Sequence, residues 1–125
     1  MSNQLDNTNV TTESWLSEMS LFIKLADQTS EKIRTDGVEK SYLVFSQFID
    51  TCLALVTSLS SIKETANLNL STSDSNWNVL ETNLWTIFSE ILNATTIKDS
   101  SKIADLIEFD LSPIFEEWKL LIKNV

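Results

Sequence analysis

The chain has 125 residues, of which 42% are apolar, and a formal net charge of −9. Glycine and proline occur once each, as Gly37 and Pro113. All-β folds need many tight turns with positive φ, so this composition excludes sandwiches and barrels and favours helices. The nine basic residues are scattered along the chain. Without a basic patch, neither nucleic acid nor an anionic membrane is an expected partner.

The first helix is predicted from about Thr12 to Arg34, where apolar side chains recur at steps of three and four. Its inward positions are Trp15, Met19, Phe22, Ala26, Thr29 and Ile33. Residues 1–11 are polar and are predicted to form a disordered or poorly ordered tail, which leaves 12–125 as a single domain. This tail lacks the basic start and apolar run of a signal peptide, so a cytoplasmic location is expected. Asp36 and Gly37 are predicted to end the helix.

The second helix has the most regular pattern in the chain. Steps of four and three alternate without a miss and predict a seam packed lengthwise against other helices. The seam residues are Val38, Tyr42, Phe45, Ile49, Cys52, Val56 and Leu59. Cys52 is the single cysteine and is interpreted as a small core residue. The stretch 42–59 contains Gln47 and Asp50, and is predicted to be too polar to span a bilayer.

Two further helices follow a polar segment, 65–76, that is predicted to be the longest loop. The third helix is predicted over 76–94, with Trp77, Leu80, Leu84, Ile87 and Ile91 inward. The fourth is predicted over 100–123, with Ile103, Ile107, Leu111, Ile114, Trp118 and Leu121 inward. Pro113 lies within that last pattern and removes a backbone donor, so a kink is expected near 109–113. Because the seam continues in phase, the pattern predicts one bent helix.

These four seams predict an all-α fold, specifically an antiparallel up-down four-helix bundle. In this topology the starts of the first and third helices and the end of the fourth share one end of the bundle. Trp15, Trp77 and Trp118 are therefore predicted to lie close together, as an aromatic layer that closes the core.

The sequence offers almost no equipment for catalysis. It contains no histidine, which excludes the usual nucleophilic triads, and one cysteine, which is too few for a zinc site. One glycine cannot build a phosphate-binding loop. Acidic Asp105, Glu108 and Glu116 share an outward face of the fourth helix. This is interpreted as a solvated face, and the alternative is a face that attracts a basic partner segment. We therefore expect no enzyme activity, no cofactor and no metal.

Apolar residues exceed what inward seams require on the second and third helices. These surplus positions are Leu43, Val44, Phe48, Leu55, Trp85, Phe88 and Leu92. One interpretation is an exposed groove that receives an amphipathic helix or an extended segment of a partner protein. The ordinary alternative is that they widen the core, since globular helices often bury a broad face.

Two stretches resemble the flagellin-specific export chaperones of bacteria. The first is Phe22-Ile23-Lys24-Leu25-Ala26 followed by a charged turn over 32–40. The second is Ile97-Lys98-Asp99-Ser100-Ser101-Lys102-Ile103-Ala104 leading to Trp118-Lys119. The resemblance implies a four-helix bundle that holds the disordered C-terminal segment of flagellin before export. The chain departs from that family in lacking a tyrosine in 1–10 and in carrying Pro113, and no binding residue is transferred.

Two functions follow as hypotheses. The first is a cytoplasmic chaperone-like or adaptor-like protein that captures an apolar or amphipathic segment of a partner by burying apolar area. The second is a structural role, in which the surplus surface self-associates to form a homodimer or a subunit of a larger assembly.

Overall fold

The computed structural model describes the backbone of residues 3–65 and 73–123, and the side chains of 13–60 and 77–122. Within these ranges every regular element is helical, and the chain forms four helices. The all-α prediction is therefore confirmed. Most of the predicted long loop over 65–76 lies outside the described residues.

The first three helices are α1 (Asn3–Asp36), α2 (Tyr42–Thr65) and α3 (Ser73–Thr96). The fourth helix runs from 100 to 123 in three consecutive segments. These are α4 (Ser100–Asp105), a π-helical segment (Leu106–Leu111) and α5 (Ser112–Lys123).

The helix ends differ from the predicted ones in several places. α3 begins at Ser73 and ends at Thr96, where 76 and 94 were predicted, so 73–76 of the predicted loop are helical. α1 begins at Asn3, not near Thr12, because extending an existing helix costs far less than nucleating one, even where apolar spacing is absent. The division into a tail over 1–11 and a domain over 12–125 stays a prediction. α2 begins at Tyr42, since 38–41 form a turn that follows Gly37. Gly37 has φ +85°, which suits the residue that ends a helix.

Pro113 marks an irregular point in the fourth helix. Just before it, the backbone N–H of Ser112 donates to the carbonyl oxygen of Ile107, five residues earlier, which is the π-helical spacing. Pro113 has no N–H to continue the ladder. The helical backbone nevertheless continues to Lys123, so the prediction of one helix, not two, is confirmed, and the bend near 109–113 stays a prediction.

A chain of aromatic rings connects all four helices through the core. Phe48 of α2 stacks on Phe22 of α1, with ring centroids 5.0 Å apart. Phe22 in turn lies 4.6 Å from Phe115 of α5. Phe115 contacts Trp118 at 5.6 Å, and Trp118 meets Trp77 of α3 edge-to-face at 5.7 Å. The predicted proximity is confirmed for Trp77 and Trp118.

Trp15, the third member of the predicted tryptophan layer, is half-buried and packs against the core from α1. Its proximity to the other two tryptophans stays a prediction.

The buried face of α2 differs from the predicted seam. Tyr42 is 63% exposed and Ile49 is half-buried, whereas Phe48 and Leu55 are buried. The true core face is therefore rotated by roughly 50°, half the angular step between neighbouring residues. The rotation brings the large Phe48 ring onto Phe22, and it leaves Tyr42 facing outward. Phe45, Cys52, Val56 and Leu59 are buried as predicted.

α2 is unusually apolar for its degree of burial. Among the described residues, its stretch Tyr42–Ser60 has the length and apolar composition of a membrane-crossing helix. This corrects the expectation that the stretch is too polar to cross a membrane. Core helices of soluble proteins can have the same length and composition, and only a third of this stretch is buried. α2 therefore carries more apolar surface than its packing covers.

The helices are not equally close neighbours. α1 packs against α2 and along the whole fourth helix, and α3 packs against the fourth helix. In the described part of the chain, no Cα of α2 lies within 8 Å of a Cα of α3. α1 is the one helix that approaches α2 this closely, so α2 lies at the edge of the close-packed set.

The rotated face of α2 is tested by comparing two alanine substitutions on that helix. Phe48→Ala removes a fully buried ring that is stacked on Phe22, and should lower the free energy of unfolding by about 3–5 kcal/mol. Leu43→Ala, at a side chain that is 70% exposed, should change it by less than about 0.5 kcal/mol. Urea unfolding followed by circular dichroism measures both. Equal costs would contradict this packing.

Candidate functional site

The structure divides the seven surplus apolar residues. Phe48, Leu55 and Phe88 are buried in the core. For these three residues the ordinary alternative, that surplus apolar positions widen the core, is confirmed, and the exposed-groove interpretation is wrong. Val44 is half-buried, while Leu43, Trp85 and Leu92 are exposed.

The three exposed members do not line one groove between α2 and α3, because these two helices make no close backbone approach in the described part of the chain. Trp85 and Leu92 lie seven residues apart on the outer face of α3, each 49% exposed. The Trp85 ring contacts Phe88 edge-to-face at 5.9 Å. Around Trp85 the surface is a wide, shallow depression that also contains Thr82 and Glu90.

A better formed depression lies between α1 and α2. It has a cavity volume of about 420 Å³, and its exposed lining is mostly apolar. Its lining residues, which define the α1–α2 groove, are Glu18, Leu21, Phe22, Leu25, Thr51, Ala54, Leu55 and Ser58. Pockets of a few hundred Å³ with apolar lining are typical of binding sites.

Helical spacing explains how the α1–α2 groove forms. On α1 the wall residues are at 18, 21 and 25, and on α2 they are at 51, 54 and 58, so each wall is one row of a helix surface. The α1 wall has two leucines, and Leu21 is 62% exposed. The α2 wall has only threonine, alanine and serine. These short side chains do not reach across to α1, and the space between the helices stays open.

The hydroxyl groups of the α2 wall are already bonded within the helix. Thr51 Oγ1 donates to the carbonyl oxygen of Gln47 at 2.8 Å, and Ser58 Oγ donates to that of Ala54 at 3.1 Å. Because these donors are used internally, the wall can offer mainly methyl and methylene surface to a ligand. The groove is therefore more apolar than its sequence suggests.

The floor of the α1–α2 groove belongs to the rigid core. Phe22 and Leu55 are 2% and 6% exposed. Phe22 is held between the rings of Phe48 and Phe115. A ligand in the groove would rest on side chains whose positions are fixed by interior packing.

A charged cluster beside the π-helical segment is a second candidate. Arg34 of α1 donates to Asp105 at 2.9 Å and also to Glu108, and its guanidinium lies 5.6 Å from the Phe109 ring centre. Ser30 reaches Glu108 at 3.5 Å. Asp105 and Glu108, which were predicted to lie on a solvated face, pair with this arginine, and the Asp105 side chain is still 61% exposed. Two carboxylates around one guanidinium link α1 to the fourth helix.

No group of three or more potential metal ligands occurs among the described residues. Cys52, the single thiol, is buried as predicted. Burial raises the pKa of the Cys52 thiol to about 12. A protonated, inaccessible thiol is a poor nucleophile, so Cys52 is a packing residue.

Sequence inspection missed the α1–α2 groove. Thr51, Ala54 and Ser58 look like ordinary outward positions of an amphipathic helix, and Leu21 looks like an isolated exposed leucine. The available signal was a row of small residues beside the most apolar seam in the chain. Its meaning depends on which helix lies next to α2, and the sequence does not state that.

Cys52 provides a direct test of the core beneath the groove. In the folded protein at pH 8.5, alkylation by iodoacetamide should be slower than in urea by orders of magnitude, because the thiol is both protonated and enclosed. The folded-state pKa lies above the usual value of 9.0, so the thiolate fraction should stay low until the pH approaches 12. Mass spectrometry measures the rate. Rapid alkylation of the native protein at pH 8.5 would show that this part of the core is open.

A family model described as "Domain of unknown function (DUF8042)" matches residues 11–121, and the chain therefore belongs to that family. No curated protein and no solved structure matches the chain significantly.

Proposed function

We propose that this member of the DUF8042 family is a non-enzymatic protein-binding domain, which captures an apolar or amphipathic segment of a partner protein in the α1–α2 groove. The observation that carries the proposal is the open apolar groove beside α2. The most apolar helix of the chain is only partly covered, and its uncovered wall adjoins a preformed cavity.

Burial of apolar area would supply the affinity. Each leucine-sized side chain that a partner transfers from water into the groove contributes about 1.5–3 kcal/mol. The floor and both walls need little rearrangement, which reduces the cost of ordering. The net charge of −9 keeps the free domain soluble while one apolar surface stays open.

We propose that the four helices form an antiparallel up-down bundle, an arrangement that would hold both walls of this groove in fixed positions. Several contacts support it. Arg34 near the end of α1 meets Asp105 near the start of the fourth helix, whereas the earlier Phe22 meets the later Phe115. Just before α2, Ser41 donates to the Lys32 carbonyl oxygen, while the later Phe48 of α2 stacks on the earlier Phe22.

A chaperone-like role in the cytoplasm fits this mechanism, because a chaperone protects an apolar segment until delivery. The resemblance to flagellin export chaperones makes the C-terminal segment of flagellin the first partner to test. An adaptor that holds an amphipathic segment of another protein would use the same groove.

Self-association is the second candidate function, and the exposed Trp85 and Leu92 on α3 favour it. Two copies could cover these faces and form a homodimer or a subunit of a larger assembly. Light scattering at high micromolar concentration separates the two functions. The binding function predicts a monomer, and a dimer that Trp85→Asp dissociates would favour the structural role.

Filling the groove tests the proposed function. Ala54→Trp places a large ring between the walls, and should weaken binding of a groove ligand at least about tenfold, because the ring occupies the space that the ligand would fill. The probes are fluorescently labelled apolar and amphipathic peptides, including the C-terminal segment of a flagellin, and anisotropy reports the Kd.

Thr57→Trp is the matched control, because Thr57 is an exposed residue of α2 outside the groove. It should leave the Kd unchanged, and circular dichroism should show both variants folded. Binding that survives Ala54→Trp, or the absence of binding by every peptide, would contradict the proposal.

A further inference from the structure

We infer that the occupant of the α1–α2 groove is an amphipathic α-helix with a lysine or arginine at one end of its apolar face. This inference rests on the proposed binding function and names the class of ligand. Three features of the groove support it: its backbone chemistry, its shape and its charge.

The backbone chemistry of the groove favours a helix over an extended segment. Both walls are helix surfaces, whose own N–H and C=O groups bond within the helix. The hydroxyls of Thr51 and Ser58 are bonded internally as well. An extended ligand would bury backbone donors and acceptors against this lining without partners, at a cost of about 1–3 kcal/mol each. A helix satisfies its own backbone and would present only side chains.

The shape of the groove also fits a helix. Each wall spans eight residues, 18–25 on α1 and 51–58 on α2, and the seven helical steps between the end residues cover about 10 Å or two turns of helix. Three contacts at spacings of three and four match the ridge that a partner helix presents at i, i+3, i+4 and i+7. The small α2 wall lets the partner approach α2 closely, while the leucine wall on α1 gives it side chains to pack between.

The charge of the groove favours a ligand of positive charge. Glu18 is the one charged residue in the lining, and it occupies one end of the α1 wall. It forms no ion pair with another residue of the described part of the chain. An apolar helix with a basic residue at the corresponding end would pair with Glu18, and an acidic one would be repelled. The overall charge of −9 acts in the same direction at longer range.

The test uses three labelled peptides of about 18 residues. The first places leucines at i, i+3, i+4 and i+7 with lysines beside them. The second has the same composition, rearranged so that apolar and polar residues alternate as in a strand. The third replaces the lysines of the first with glutamates. Anisotropy gives each Kd, and circular dichroism reports helix formation in the bound peptide.

The first peptide should bind at least about tenfold more tightly than the second, and should become helical when bound. Glu18→Gln should weaken it about two- to fivefold, the usual range for an exposed charge pair. Glu18→Lys should weaken it further and should reverse the preference, so that the third peptide binds better than the first. Glu13→Lys makes the same charge change at an exposed α1 residue outside the groove, and should leave the preference intact.

The results of these experiments distinguish a failure of the helical, basic ligand from a failure of the proposed binding function. Equal binding of the first two peptides, both abolished by Ala54→Trp, would overturn the helical occupant and keep the groove as the binding site. An unchanged preference in Glu18→Lys would overturn the basic residue. If no peptide shows binding that Ala54→Trp removes, the inference and the proposed function both fail.

Discussion

The packing of the Phe22 ring between Phe48 and Phe115 is the contact on which the rest of this structure depends. Phe22 joins α1 to α2 on one side and to α5 on the other, with centroid distances of 5.0 and 4.6 Å. From Phe115 the contacts continue through Trp118 to α3. Aromatic rings bury large areas and pack with defined geometries, so this series of ring contacts sets how far apart the helices lie.

The same contact explains why a groove exists. The stacked rings hold α1 and α2 together at the level of the core, and Phe22 becomes the floor between them. Above that floor α2 presents Thr51, Ala54 and Ser58, which are too short to close the gap. A domain that needed only stability would gain by placing larger apolar residues there. Small side chains at this position instead keep about 420 Å³ open beside an apolar helix that its neighbours only partly cover.

Much of the fold was predictable because apolar spacing follows helix geometry. Positions such as Phe45, Cys52 and Leu59 are buried as their spacing indicated, and a π-helical segment lies just before Pro113, where the missing donor predicted an irregularity. The face of α2 was harder to place, since Tyr42 and Phe48 both extend an apolar seam. Only the position of Phe22 on the neighbouring helix decides which of them is buried. The groove could not be predicted for the same reason, because it is a property of two adjacent surfaces.

Binding of a partner helix in the α1–α2 groove is tested by intermolecular NOEs to the Ala54 methyl group, measured on the domain with a bound amphipathic peptide. Ala54 lies at the middle of the α2 wall, and Leu21 and Leu25 belong to the α1 wall of the same groove. If the peptide binds in this groove, its apolar side chains should give NOEs to all three of these residues. NOEs confined to Trp85 and Leu92 would place the ligand on the outer face of α3 and would contradict binding in the groove.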